Sequence, residues 1–170
     1  MIRLDAELRA LQDLHGWRMV RANPLEIVYA DELELTVPLV QGAADIGGAS
    51  LGLLRPTTDG PTAALLDLTR RALVKSPPAT LAALVRSTGQ LWTAARHMRD
   101  ELNILKLYYP SEYAGDDKGF TATASVVIPK HRAKVRLAFA VGPGTLLAWP
   151  SVHAVTAVRV RATTVYGNIE

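Results

Sequence analysis

An α+β fold that combines helices with antiparallel β-meanders is what this 170-residue sequence predicts, and three observations predict it. Phe120, Ala122, Ala124, Val126 and Ile128 alternate with Thr121, Thr123, Ser125 and Val127, which is the two-residue period of a strand. Three short runs between Trp17 and Leu39 are separated by turn residues, as in an antiparallel meander. Leu81, Leu84, Thr88, Leu91, Ala95, Met98, Leu102 and Leu105 recur in steps of three and four, as one face of a long helix does.

Taken in order, Leu4, Leu8 and Leu11 give an amphipathic helix ending near Leu14, where His15-Gly16 supplies the stop. Trp17 to Arg21, Leu25 to Ala30 and Leu33 to Leu39 read as strands, with Asn23-Pro24 and Asp31-Glu32 in the turns. Gln41 to Thr58 reads as a long Gly-, Ala- and Pro-rich loop with a strand near Leu51 to Leu54. Asp59-Gly60-Pro61 opens a helix whose stripe is Leu65, Leu68, Ala72 and Leu73; Pro61 sits where its missing N–H costs nothing. Pro77-Pro78 separates it from the long helix, which ends at Tyr108-Tyr109-Pro110. That helix fits a coiled coil or a core helix against a sheet; Thr88, Gly89 and Ala95 weaken a coiled-coil seam and favour core packing. Ser111 to Gly119 reads as a polar, acidic loop.

The hairpin follows. After the turn Pro129-Lys130-His131-Arg132, alternation resumes with Ala133, Val135, Leu137 and Phe139 on one face and Lys134, Arg136 and Ala138 on the other. Gly142-Pro143-Gly144 reads as a turn, Thr145 to Trp149 as a strand, and about Val152 to Val165 as a last strand with Arg159, Arg161 and Thr163 on one side. Trp17, Trp92, Leu91 and Phe139 are expected in the core. The order suggests two helix-plus-meander units, 1–76 and 77–170, the second of them degenerate.

Composition narrows the function. A chain 49% hydrophobic and 21% charged buries a core and is not disordered. It has no cysteine, which removes disulfides, thiolate metal sites and Cys nucleophiles and fits a reducing compartment. No apolar run approaches the roughly 18–20 residues needed to span a bilayer, so no membrane segment is expected. The start does not resemble a secretory signal, and an initiating Met directly before a helical pattern leaves room for sequence upstream. The net charge of +3 is unevenly distributed. Up to Asp117 there are 12 Lys and Arg against 15 Asp and Glu, a balance of −3. From Lys118 onward there are 7 against the single Glu170, a balance of +6. Such segregation marks either a surface that meets an acidic partner or the solvated outside of a sheet.

Catalytic chemistry finds no support. His15, His97, His131 and His153 are scattered, with no metal-ligand spacing, and neither Gly47-Gly48 nor Gly142-Pro143-Gly144 forms a phosphate loop. Asp31-Glu32 and Asp116-Asp117 lie where solvated carboxylates are routine, and no Gly-x-Ser-x-Gly elbow occurs. No catalytic residue, metal, cofactor or small-molecule substrate is expected. The alternative function is a nucleic-acid-binding module using the basic face of the C-terminal sheet. That face lacks the interleaved aromatics with which single-strand binders stack bases, which counts against it.

Several segments carry a family resemblance. Leu11-Gln12-Asp13-Leu14-His15-Gly16-Trp17, then Tyr29 and Leu33, resemble the C-terminal region of the fungal kinetochore scaffold family, the MELT-repeat scaffold called Blinkin in animals. Leu91-Trp92, Ala95-Arg96, Glu101, Leu105 and Tyr109-Pro110 are similar to the same region, as are Ile128 to Val135 and Val165-Tyr166-Gly167. The resemblance implies tandem RWD units, each a helix plus an antiparallel β-meander with helices on one sheet face. It implies a non-enzymatic adaptor in the nucleus, at the kinetochore and centromere, that docks the scaffold onto the MIND complex through a groove accepting a subunit tail. It also implies a Zwint-like coiled-coil partner bound through upstream sequence. The second unit departs from the pattern, because nothing after Val165 forms a final helix.

The physical expectation for the partner site is the basic sheet face, since like charges in a row repel and need solvent or an acidic partner. Lys130, Arg132, Lys134, Arg136, Arg159 and Arg161 are its candidates. Tyr108 and Tyr109 either line a groove or cement the two units. A monomer is expected.

Overall fold

The computed structural model describes residues 15–57, 60–116, 119–148 and 159–167. The expected first helix and the stretch around Trp149 and Val152 lie outside them. The chain is α+β with antiparallel sheets, as expected, and separates into two compact units. One holds the residues up to Thr57 together with Pro77–Gly89; the other holds Thr58–Ser76 and the residues from Gln90 on. This partition assigns the two helical segments differently from a sequential division at 76/77.

In the first unit, β1 (Trp17–Ala22), β2 (Leu25–Tyr29), β3 (Leu33–Val37) and β6 (Ser50–Leu53) form an antiparallel sheet in the order β1-β2-β3-β6. Between β3 and β6 lies a small ladder of β4 (Leu39–Val40), at the end of the expected third strand, and β5 (Ala43–Ala44), inside the expected loop. Register opposes Ile27 to Leu35 and Leu35 to Leu51, so alternate residues of three strands share one face. Ile27, Leu33, Leu35, Val37 and Leu51 are buried there. The β2–β3 turn falls one residue earlier than read: Ala30 (φ 51°) and Asp31 (φ 55°) are its central residues, and Glu32 N–H donates to Tyr29 O at 3.1 Å. Two successive positive φ values match the right-handed twist of a hairpin.

Trp17, expected in the core, is half-buried and lies against Tyr29 with ring centroids 4.9 Å apart. The helical segment of this unit reaches the same place at Gly89. A β-carbon there would come within 3.0 Å of Trp17 Nε1, so the glycine lets the indole approach the helix backbone.

In the second unit, α1 (Gly60–Lys75) buries Leu65, Leu66, Leu68, Thr69 and Ala72. It packs against strands β7 (Ser111–Asp116) and β8 (Gly119–Ile128) and against α3 (Pro143–Ala148). The long helix, α2 (Leu81–Tyr108), follows the predicted stripe. Leu84 and Thr88, which belong to the first unit, and Leu91, Ala95, Met98 and Leu102, which belong to the second, are all buried. It is therefore a core helix. Trp92 is 1% exposed. With β9 (Ala133–Val141) and β10 (Arg159–Tyr166), the second sheet runs β10-β9-β8-β7, all antiparallel.

The predicted hairpin is formed by β8 and β9, whose register sets Ala124 opposite Leu137 and Val126 opposite Val135, with Phe120, Ala122, Ala124, Ala133 and Val135 buried. Phe139 is only half-buried, so the apolar face is not uniformly covered. Two expectations are corrected. Ser111–Asp116 is strand β7, not a loop. Its Gly and acidic residues carry little strand propensity; pairing with β8 supplies the order, and Tyr113 Oη donates to Leu102 O at 3.1 Å. Pro143–Ala148 is a helix, not a turn followed by a strand. Pro143 opens it, Thr145 N–H donates to Gly142 O at 3.0 Å, and Gly142 N–H donates to Thr145 Oγ1 at 3.3 Å. A short apolar run has no period that separates helix from strand. No helix among the described residues is long and apolar enough to cross a membrane.

Candidate partner-binding face

The face of the second sheet opposite its buried one is built by register. Residues directly opposed across a ladder share a face. Lys134, Arg136 and Ala138 of β9 therefore share theirs with Val127, Ser125 and Thr123 of β8 on one side. On the other side their partners in β10 are Tyr166, Thr163 and Arg161. Thr123 in turn opposes Glu112 of β7. Arg136 and Arg161 are exposed and Lys134 is half-buried. None of the three is ion-paired among the described residues.

The β8–β9 connection extends this charge. Pro129–His131 is a single 3-10 turn closed by Arg132, which sits at φ 45° and donates its N–H to Pro129 O at 3.1 Å. Lys130 and Arg132 are exposed on it. Gly167, at φ +87°, fixes the end of β10 beside this turn. A β-carbon there would lie 2.7 Å from Ala133 Cα and 2.8 Å from Arg132 O, a space only glycine fits.

The structure thus brings Lys134, Arg136 and Arg161 onto one face and Lys130 and Arg132 to the adjoining turn. Arg159 pairs through its backbone with Ala140, and its side chain lies outside the described residues. Tyr108 is 75% and Tyr109 38% exposed at the end of α2, and Leu107 beside them is 82% exposed. That helix end reaches the basic face at one point. A depression of about 390 Å³ is lined by Lys106 and Pro110 together with Glu112, Thr123 and Arg136 of the sheet. Ser125 N–H donates to Pro110 O at 2.9 Å and holds the connection against β8.

Three residues of this region escape sequence reasoning. Lys106 lies on a helix with no charge pattern pointing to the sheet. Glu112 lies on a strand whose Gly and acidic composition reads as a loop. Tyr166 has the wrong parity for the arginine face until a register shift between Thr164 and Tyr166 sets it opposite Lys134. Only the bulge reveals that the basic face carries an exposed aromatic at its end.

The fold is therefore an α+β one of antiparallel sheets and helices, whose second sheet packs a helix on β7 and β8 and presents polar and charged residues on its opposite face. A family model described as the Knl1 RWD C-terminal domain matches residues 1–99, more than half of the chain. The chain belongs to that family and is a kinetochore protein-interaction module. No curated protein matches it. The matched span covers β1 to β6, α1 and α2 as far as Arg99; the basic sheet face lies beyond it.

Proposed function

We propose that this chain docks a Knl1-family scaffold onto the MIND complex at the inner kinetochore, in the nucleus, by accepting an acidic subunit tail on the outer face of the β7–β10 sheet. The observation that carries this reading is the row Lys134, Arg136 and Arg161, unpaired on one face among the described residues. Lys130 and Arg132 extend it on the adjoining turn, Arg159 belongs to the same strand as Arg161, and Tyr108 and Tyr109 stand at the nearby end of α2. Exposed like charges in adjacent strands repel, and an acidic partner removes that repulsion while fixing orientation. In this reading the second unit is a degenerate RWD module in tandem with the first, the chain is a monomer, and a Zwint-like coiled coil binds sequence upstream. The work is non-enzymatic.

Titration calorimetry against reconstituted MIND complex, with a random DNA duplex as control, tests the proposal. Micromolar or tighter binding to MIND that falls at least about tenfold in both Arg132→Glu and Arg161→Glu is expected, since each reversal replaces attraction by repulsion. Undiminished binding in both variants overturns the basic face as the docking surface. Binding to DNA alone, steeply weakened by salt, overturns the adaptor role as well.

A further inference from the structure

The depression where the end of α2 meets the basic face has a charge composition of its own. Lys106 and Arg136 supply two positive charges to it, and Glu112 one negative charge. Thr123 and Ser125, which share the face of Glu112 and Arg136, bring hydroxyl side chains to it, and Ser111 and Pro110 border it. None of the three charged groups is ion-paired among the described residues, although they border a single space of about 390 Å³. Ser111 Oγ donates to Tyr109 O at 2.9 Å and ties the start of β7 to the end of α2. Arg136 is set beside Ser125 across the β8–β9 ladder, and Glu112 beside Thr123 across the β7–β8 ladder, so both charges are carried on sheet backbone and not on a loop.

We infer that this depression is a subsite for one carboxylate side chain of the docking partner, held between Lys106 and Arg136. The inference rests on the basic-face reading and adds a defined anchor point to it. The sign and size of the charge select the ligand. Two cations and one carboxylate leave a net charge of +1, which one aspartate or glutamate neutralises. A phosphorylated side chain brings about −1.5 to −2 and would press its excess charge against Glu112. The planar guanidinium of Arg136 matches a carboxylate in two parallel hydrogen bonds, while the Lys106 ammonium adds a point charge from the helix side. The Thr123 and Ser125 hydroxyls can donate to a bound oxygen, whereas the Ser111 hydroxyl, its proton committed to Tyr109 O, can only accept. Glu112 then acts as the discriminator, raising the cost of a dianion more than that of a monoanion.

Lys106 separates this inference from the broader one, because it is not part of the basic row. The experiment is an amide-resolved NMR titration of the chain with three capped hexapeptides: hexaglutamate, hexaphosphoserine and hexaglutamine. Hexaglutamate is expected to shift the amides of Ser111, Glu112, Thr123 and Ser125 and to bind more tightly than hexaphosphoserine. Lys106→Ala should weaken it about threefold to fivefold, as loss of one exposed charge pair does. Glu112→Gln should reverse the order of the two anionic peptides. The idea is overturned if hexaglutamine shifts the same amides equally, if hexaphosphoserine binds the unaltered chain more tightly, or if Lys106→Ala leaves hexaglutamate affinity unchanged. MIND binding tells the two readings apart. Sensitivity to Arg161→Glu without sensitivity to Lys106→Ala removes the subsite and keeps the docking face. Hexaglutamate binding at the depression with no MIND binding does the reverse.

Discussion

Replacing Thr88 by Val should make this protein more stable. Thr88 is 0% exposed, and its Oγ1 has no hydrogen-bond partner among the described residues. A helical threonine ordinarily returns its hydroxyl to the carbonyl one turn back, as Thr69 does by donating to Leu65 O at 2.8 Å. Thr88 therefore carries the desolvation cost of a polar group without the compensating bond, a penalty of about 1–3 kcal/mol. Valine keeps the β-branched shape, the volume and nearly the same helix propensity, so the hydroxyl is the only thing removed. A gain of about 1–2 kcal/mol is expected. With a urea m-value of about 2 kcal/mol/M, the unfolding midpoint should rise by about 0.5–1 M at unchanged slope. Thr69→Val is the internal control. It loses a satisfied bond, and its midpoint should stay level or fall by the equivalent of about 1 kcal/mol. Equilibrium urea unfolding followed by circular dichroism and by tryptophan fluorescence reads both. A midpoint for Thr88→Val at or below that of the unaltered chain refutes the reasoning, because the hydroxyl must then be satisfied.

Three further substitutions test other parts of the fold. Ala30→Gly, at φ 51° in the β2–β3 turn, should add about 0.5–1 kcal/mol in the same assay, since alanine is strained there and glycine is not. Trp92→Ala should remove about 3–5 kcal/mol, a large share of the 5–15 kcal/mol of an ordinary domain, and should be visible as a lowered thermal midpoint. Gly167→Ala should loosen the attachment of β10 to the hairpin turn. Hydrogen exchange should quicken in Arg159–Tyr166 while the amides of Leu25–Tyr29 keep their protection.

Much of this architecture is legible in the sequence wherever one face of an element is buried and the other is not. The stripe from Leu84 to Leu102 and the alternation from Phe120 to Val135 are of that kind, and so is the burial of Trp92. The signal fails where order comes from a neighbour. β7 contains Gly115 and Asp116 and has no apolar alternation; its strand exists because β8 offers a ladder. α3 is too short and too uniformly apolar for periodicity to act on. The basic row could be read because β9 carries it in strict alternation. The depression could not, because it joins a helix end, an unrecognised strand and a hairpin residue that lie far apart in the chain. Tyr166 shows the finest limit: one bulge reverses the parity by which a strand residue is assigned to a face.

The division of the chain into 1–57 with 77–89, and 58–76 with 90–170, has a consequence for synthesis. A ribosome delivers residues in order, so the first sheet is complete long before the helical segment that belongs to its unit has emerged. α1 is delivered between them, ahead of β7 and β8, on which it packs. During that interval Leu65, Leu68 and Ala72 have no sheet to cover them. No single cut yields either unit whole, and a fragment ending at Arg99, where the family match ends, would hold α1 without β7, β8 and α3. Such a fragment should expose the stripe of α1 and self-associate, whereas the full chain conceals it.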